Sequence, residues 1–167
     1  ELSSGGTRFI GNCGTPDSGL DKYAPFVRAT AAHSTVTISD RSSSKFADFS
    51  FLHSLLPSAF IRGPEKIEVE RNNVGGFSEL VASHNGYQSE FGIIHSRRLQ
   101  LAESGTELNG TDELKMTRSS NRGPRMAALR FHLPANITAS FLSGGNAILL
   151  AGSQDIAWTF TCIDAEI

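Results

Sequence analysis

The sequence lacks most of the signals that would identify a function class at once. Its 167 residues include only two cysteines, two methionines and one tryptophan, and the formal net charge at pH 7 is only -2. Cys13 and Cys162 show no metal-binding spacing, so two buried thiols are the simplest interpretation, while a single bridge between them stays open. A chain this close to neutral has no global basic field, so nucleic-acid binding is not expected.

Long apolar segments and nucleotide-binding motifs are missing as well. No stretch approaches the roughly 18 apolar residues of a membrane-spanning helix, so membrane insertion is not expected. The chain opens with the polar "ELSSGGTRF", without an initiator Met or a signal-peptide pattern. We therefore expect an excised or processed piece of a longer protein, whose localisation depends on a segment upstream. GxSxG, P-loop and dinucleotide-binding patterns do not occur.

Glycine and phenylalanine are plentiful, and their distribution favours strands. The chain has 16 glycines and 11 phenylalanines, and strand candidates recur about every ten residues. "KIEVERN" alternates apolar and acidic residues, which predicts that Ile67 and Val69 face the core while the acids face water. A chain of this length suits one domain. The sequence therefore predicts a single-domain, all-β fold, an antiparallel β-sandwich of about ten or more strands.

Three other segments carry predictions about local structure. "VRATAAHSTVTI", residues 27–38, is rich in Thr and Val and predicts a strand, whereas "LNGTDEL", residues 108–114, predicts a turn. Residues 44–60 predict a strand near Phe46–Phe51 followed by an irregular insertion, because Pro57 would end a helix.

The densest group of polar side chains lies in "SHNGYQSEFGIIHSRRLQL", residues 83–101. His95 and Arg97 are two apart and project from one face of a strand, whereas Arg98 projects from the other. An arginine beside an imidazole can bind the carboxylate or sulfate of an acidic sugar, although a solvated outer face would show the same pattern. Tyr87 could serve as an acid or base if cations lie close to it.

Histidines and carboxylates elsewhere suggest a divalent metal site. The nitrogens of His33, in its predicted strand, need partners, which backbone or serine groups, a metal or a substrate could supply. His84 follows a strand, at the kind of strand end where sites are built. Two imidazoles joined by the carboxylate of Asp40 or Asp48 would suit zinc or a similar divalent ion.

Several motifs along the chain resemble one family when they are taken in order. These are "NCGTP", "ATAAHSTVTISD", "ASHNGYQSEFGIIHSRRLQL", "LRFHLPANITASF" and "WTF". Together they resemble the C-terminal β-sandwich region of heparinase II/III-like proteins, a bacterial polysaccharide lyase group, and the resemblance covers nearly all of residues 1–167. The family's His-Asn-Thr triplet appears here as His33-Ser34-Thr35, without the asparagine.

The resemblance implies a two-part enzyme that cleaves uronic-acid-containing polysaccharides, such as glycosaminoglycans, by β-elimination. An N-terminal α/α toroid, not found in this sequence, would carry most of the catalytic residues, and the sandwich would form one wall of the cleft. The implied metal ligands, for zinc or calcium, are His33, Asp48 and His84, with Asp40 as the runner-up to Asp48.

The resemblance also assigns supporting roles and a location. Tyr87, His95 and Arg97 would bind acidic polysaccharide or support the cleft, with no catalytic residue assigned to this domain. The expected partners are that polysaccharide and the protein's own toroid, in the periplasm or cell envelope. The alternatives are a non-catalytic carbohydrate-binding or structural sandwich in an inactive parent, or a module that binds protein partners during envelope assembly.

Overall fold

The computed structural model describes residues 1–14, 23–46, 60–118, 126–144, 147–152 and 156–163. Thirteen strands and two four-residue α-helices lie within these ranges, and seven of their strand pairings are antiparallel. The predicted all-β class with antiparallel sheets is therefore confirmed. No helix in this part of the chain is long and apolar enough to cross a membrane.

The chain divides into two compact units, residues 1–35 with 129–167, and residues 36–128. In the first unit, a glycine turn joins the first two strands, because Gly5 and Gly6 both adopt positive φ. Phe9, Ile137 and Leu150 form its buried core. The elements of this unit are β1 (Leu2–Ser4), β2 (Thr7–Ile10), α1 (Ala24–Val27), a 3-10 turn (Thr30–Ala32), and the sheet β11 (Thr138–Phe141), β12 (Ala147–Ala151), β13 (Ala157–Thr161).

The second unit contains a four-stranded antiparallel sheet whose strands follow in chain order. They are β6 (Ile67–Val74), β7 (Phe77–His84), β8 (Ile93–Ala102) and β9 (Leu108–Met116), with α2 (Gln88–Phe91) between β7 and β8. Two short pairs accompany the sheet: β3 (Val36–Ile38) with β10 (Ala127–Leu129), which ends at the unit boundary, and β4 (Lys45–Phe46) with β5 (Phe60–Arg62). The core of this unit consists of Val36, Ile38, Tyr87, Phe91 and Ile93.

Three predictions of local structure were wrong. Only Val36–Ile38 of the strand predicted over residues 27–38 forms, because local bonds such as Ala32 N to Ala29 O close a 3-10 turn before it. The predicted turn at residues 108–114 is part of β9, and the chain reverses instead at Gly105, where φ is 71°. Ile67 and Val69 do not face a core, since they are 65% and 64% exposed.

The irregular insertion predicted after Phe51 lies largely outside the described residues. Of the strand expected near Phe46–Phe51, the structure describes Lys45–Phe46, which pairs with Phe60–Arg62. Asp48 belongs to the part of the chain that is not described. That residues 1–167 form a single domain stays a prediction.

Candidate functional site

The register of the four-stranded sheet gathers polar side chains on one face of the second unit. His84 of β7 lies opposite His95 of β8, and Arg97 of β8 lies opposite Asp112 of β9. Directly opposed residues in an antiparallel pair share a face, and so do residues two apart in one strand. The pleat therefore brings His84, His95, Arg97 and Asp112 together, while Arg98 projects from the other face, as the alternation predicts.

A chain of hydrogen bonds runs through both imidazoles to the carboxylate. The Gly86 N–H donates to Nδ1 of His84 (3.2 Å), so the proton of the neutral ring lies on Nε2. That Nε2 donates to Nδ1 of His95 (3.3 Å), and Nε2 of His95 donates to Oδ1 of Asp112 (2.6 Å). The donors therefore run in one direction, from Gly86 through His84 and His95 to Asp112, and each neutral imidazole carries its proton on Nε2.

Arg97 completes this network by binding both oxygens of Asp112. Its Nε lies 2.8 Å from Oδ1 and one terminal nitrogen lies 3.1 Å from Oδ2, a bidentate pairing. Burial acts to raise the pKa of Asp112, but the hydrogen bonds from His95 and Arg97 and the positive charge of Arg97 outweigh it and lower that pKa. Burial, followed by the neighbouring His95, lowers the pKa of His84. The network thus favours an ionised Asp112 and ties β7, β8 and β9 together.

Tyr87 is buried beside this network, with 1% of its surface exposed. Its hydroxyl donates to the carbonyl of Val36 (2.8 Å) and lies 3.4 Å from the carbonyl of Arg41. Its ring centroid lies 5.8 Å from that of His84. Tyr87 therefore joins the segment after β7 to β3 and to the turn that follows β3.

The predicted site residues are divided between the two units. His84, Tyr87, His95 and Arg97 come together in the second unit, whereas His33 belongs to the first unit and follows the 3-10 turn rather than lying within a strand. Their predicted roles toward substrate or metal stay predictions.

The hydrogen bonds of His84 bear on whether it could serve as a ligand of the predicted metal site. Both ring nitrogens of His84 are engaged, so binding a metal would replace its bond to Gly86 or to His95. Among the described residues no group of three or more His, Cys, Asp or Glu side chains could hold an ion, and Asp48 is not among them. Asp40, the alternative carboxylate, lies in a turn of the second unit with φ at 55°.

Ser34, at the position where the resemblance implies an asparagine, forms hydrogen bonds with two segments of the first unit. Its hydroxyl donates to the Gly11 carbonyl and accepts from the His132 backbone N–H (2.9 Å). Nearby, Sγ of Cys13 lies 3.4 Å from Nδ1 of His132. The interpretation of both cysteines as buried is wrong for Cys13, which is exposed, and both thiols are free.

Asp112 is the residue that sequence reasoning missed. The pair Asn109-Gly110 is typical of a turn, so Asp112 was assigned to a turn and not to a strand beside His95 and Arg97. The signal that could have located it is the alternation of Leu108, Gly110, Asp112, Leu114 and Met116, which share the face of His95. That pattern would have placed Asp112 on a strand.

Comparison with known proteins supports the resemblance. The family model described as "Heparinase II/III-like, C-terminal" matches residues 1–167. FtsZ-localized protein C of Caulobacter vibrioides is 30% identical over 168 residues, which cover 96% of this chain and 28% of that protein. No solved structure gives a significant match. The chain therefore belongs to the heparinase II/III-like family and corresponds to its C-terminal domain.

Proposed function

We propose that this chain is the C-terminal module of a protein that cleaves uronic-acid-containing polysaccharide by β-elimination. The observation that carries the proposal is the family match, which extends over the whole chain. In such a reaction a base removes the proton at C5 of the uronic acid, and a C4–C5 double bond forms as the bond from C4 to the glycosidic oxygen breaks. The oxygen leaves with the bonding electron pair and takes up a proton to become a hydroxyl. Neutralising the carboxylate makes the C5 proton acidic enough to be removed.

The proposed division of labour gives this domain a supporting role rather than the base. The side chains of this site already form hydrogen bonds within the domain. His95 and Arg97 donate to Asp112, and the Tyr87 hydroxyl donates to the Val36 carbonyl. Such a network gives a rigid wall, and rigid support is what precise positioning of a substrate needs. The base would then come from the helical toroid of the longer protein.

The test compares the full-length protein with the 167-residue chain. Each is incubated with polyuronides and with sulfated glycosaminoglycans, and the ultraviolet absorbance of the unsaturated uronide is followed. We expect product from the full-length protein and none from the chain alone. Failure of the full-length protein on every acidic polysaccharide would exclude the lyase, and cleavage by the chain alone would contradict the division of labour.

The second candidate is a non-catalytic binding or structural module in a parent that has lost the reaction. Two observations favour it: Ser34 stands in place of the family's asparagine, and the relative from Caulobacter vibrioides is named for localisation with FtsZ rather than for a lyase. This candidate predicts that the full-length protein binds acidic polysaccharide without releasing unsaturated product, or binds a protein partner instead.

A further inference from the structure

The segment that follows β7 gathers cations on the surface of the second unit. Arg41 and Arg62 approach the two oxygens of Glu90 in α2, at 3.9 Å and 3.4 Å. Lys45 of β4 lies directly opposite Arg62 of β5. We call Arg41, Lys45, Arg62 and Glu90 the Glu90 cluster; two of its three cations approach its one carboxylate.

The Glu90 cluster leaves its cations open to a further anion. The side chains of Arg41 and Arg62 are 69% and 46% exposed, whereas that of Glu90 is 24% exposed. Both contacts to Glu90 are at the long end of ion-pair distances, so they bind the guanidinium groups weakly. Like charges opposed across a strand pair, as in Lys45 and Arg62, are unfavourable by themselves. An added carboxylate or sulfate would relieve this repulsion.

The backbone beneath the cluster is fixed, so the cations are positioned in advance. Ser39 and Asp40 both adopt positive φ, and Arg41 N closes the turn by donating to the Ile38 carbonyl (2.9 Å). Two non-glycine residues in this conformation are costly, and such strain is concentrated at functional sites. The Tyr87 hydroxyl lies 3.4 Å from the carbonyl of Arg41, at the end of this turn.

α2 and its preceding loop are held from two sides. The Asn85 side chain accepts from the backbone N–H groups of Glu65 (2.9 Å) and Lys66 (3.0 Å). On the other side, the guanidinium of Arg118 donates to the Ser89 carbonyl (2.8 Å). Glu90 is therefore presented on a rigid support, and a rigid support lowers the entropy that is lost when a ligand binds.

An exposed aromatic ring adjoins the cations. Phe60 stands two residues before Arg62 in β5, is 61% exposed, and meets Phe46 edge-on at a centroid distance of 5.7 Å. Gly63 makes room for this ring, because a Cβ there would collide with the Phe60 ring and lie 2.9 Å from Oγ of Ser44. A pyranose has an apolar face of C–H bonds that can stack on such a ring, while its carboxylate or sulfate binds arginine.

We propose that Arg41, Lys45 and Arg62, together with the ring of Phe60, form a binding subsite for one acidic sugar unit of the polysaccharide. The inference rests on the proposed function, since it names the surface through which this domain would hold that substrate. A sugar fits better than an acidic peptide because the surface combines cations with an open aromatic ring.

The test measures binding of the 167-residue chain to a polyuronide oligosaccharide, a sulfated one and an uncharged one of equal length. The double variant Arg41→Gln/Arg62→Gln removes two cations, and Phe60→Ala removes the ring. Arg71→Gln/Lys115→Gln, which removes two cations from β6 and β9, is the matched control. Thermal unfolding of each variant checks that the fold is retained.

We expect the wild type and the control to bind the acidic oligosaccharides alike and to ignore the uncharged one. The double arginine variant should bind about tenfold more weakly, and Phe60→Ala should weaken binding while leaving its salt dependence unchanged. Equal binding by the double arginine variant and the control would overturn the subsite and leave the proposed function standing.

Two further outcomes would also overturn the sugar subsite. A wild-type chain and full-length protein that bind no acidic polysaccharide would overturn both the subsite and the proposed function. Binding of polyglutamate as tight as that of the polyuronide, and unaffected by Phe60→Ala, would show an unspecific contact with acidic peptide and overturn the sugar subsite.

Discussion

Replacing Asp112 by asparagine should destabilise the second unit strongly. The carboxylate accepts from His95 at 2.6 Å and from Arg97 at 2.8 Å and 3.1 Å, and only 14% of its side chain is exposed. Asparagine loses the charge and turns an N–H₂ group toward one of these donors. Breaking a buried ion pair from one side costs about 3–5 kcal/mol. Because Arg97 keeps 21% of its side chain exposed, we expect about 2–3 kcal/mol here.

Urea unfolding measures this loss directly. The denaturation midpoint of Asp112→Asn should fall by roughly 1 M or more, given slopes of about 1–3 kcal/mol per M. The matched control is Glu68→Gln on the same sheet, whose partner Lys66 lies 2.9 Å away with both side chains largely exposed. That exposed pair should contribute no measurable stability. If the two variants unfold at the same urea concentration, the network does not stabilise the sheet.

Three further predictions concern the same unit and the metal. Asp112 has a pKa below its ordinary value of 3.8 in the folded protein. Its contribution to the free energy of unfolding is therefore complete above that value and disappears as pH falls through the lower pKa. Below about pH 4, the free energy of unfolding of the wild type should fall more steeply with pH than that of Asp112→Asn. Tyr87→Phe, which leaves the Val36 carbonyl without this donor, should cost about 1–2 kcal/mol in urea unfolding and weaken polyuronide binding through the turn before Arg41, whereas unchanged values in both assays would exclude this positioning role. If His33 and His84 hold a divalent ion, elemental analysis should find less metal in His33→Ala and in His84→Ala than in the wild type, and equal metal in all three would remove the site.

The predictions that the structure bears out in the sheet came from the alternation of side chains between the two faces of a strand. The two-residue spacing of His95 and Arg97 was enough to place them on one face, because residues two apart in a strand project from the same side of the sheet. The alternation in β6 was also recognised, but it could not reveal that Ile67 and Val69 would be exposed, since exposure depends on what covers the sheet. A sequence pattern thus fixes which residues share a face more readily than it fixes which face is covered.

The errors arose where local composition and long-range pairing disagree. Asn109-Gly110 is a strong turn signal by itself, yet pairing with β8 keeps it within a strand. The Thr- and Val-rich segment before Val36 has strand propensity, yet local hydrogen bonds close a 3-10 turn just before His33. The Glu90 cluster could not be predicted for a different reason: Arg41, Arg62 and Glu90 are far apart in the sequence and meet only through the fold.

The central claim is elimination from an acidic polysaccharide, and the mass of the products tests it most directly. Each cut that the full-length protein makes in a polyuronide should release one oligosaccharide that lacks one water relative to the hydrolysis product, with the unsaturation at its new non-reducing end. Cuts in which both fragments carry the full water, or a polymer that stays intact with every uronic-acid polysaccharide, would contradict the account.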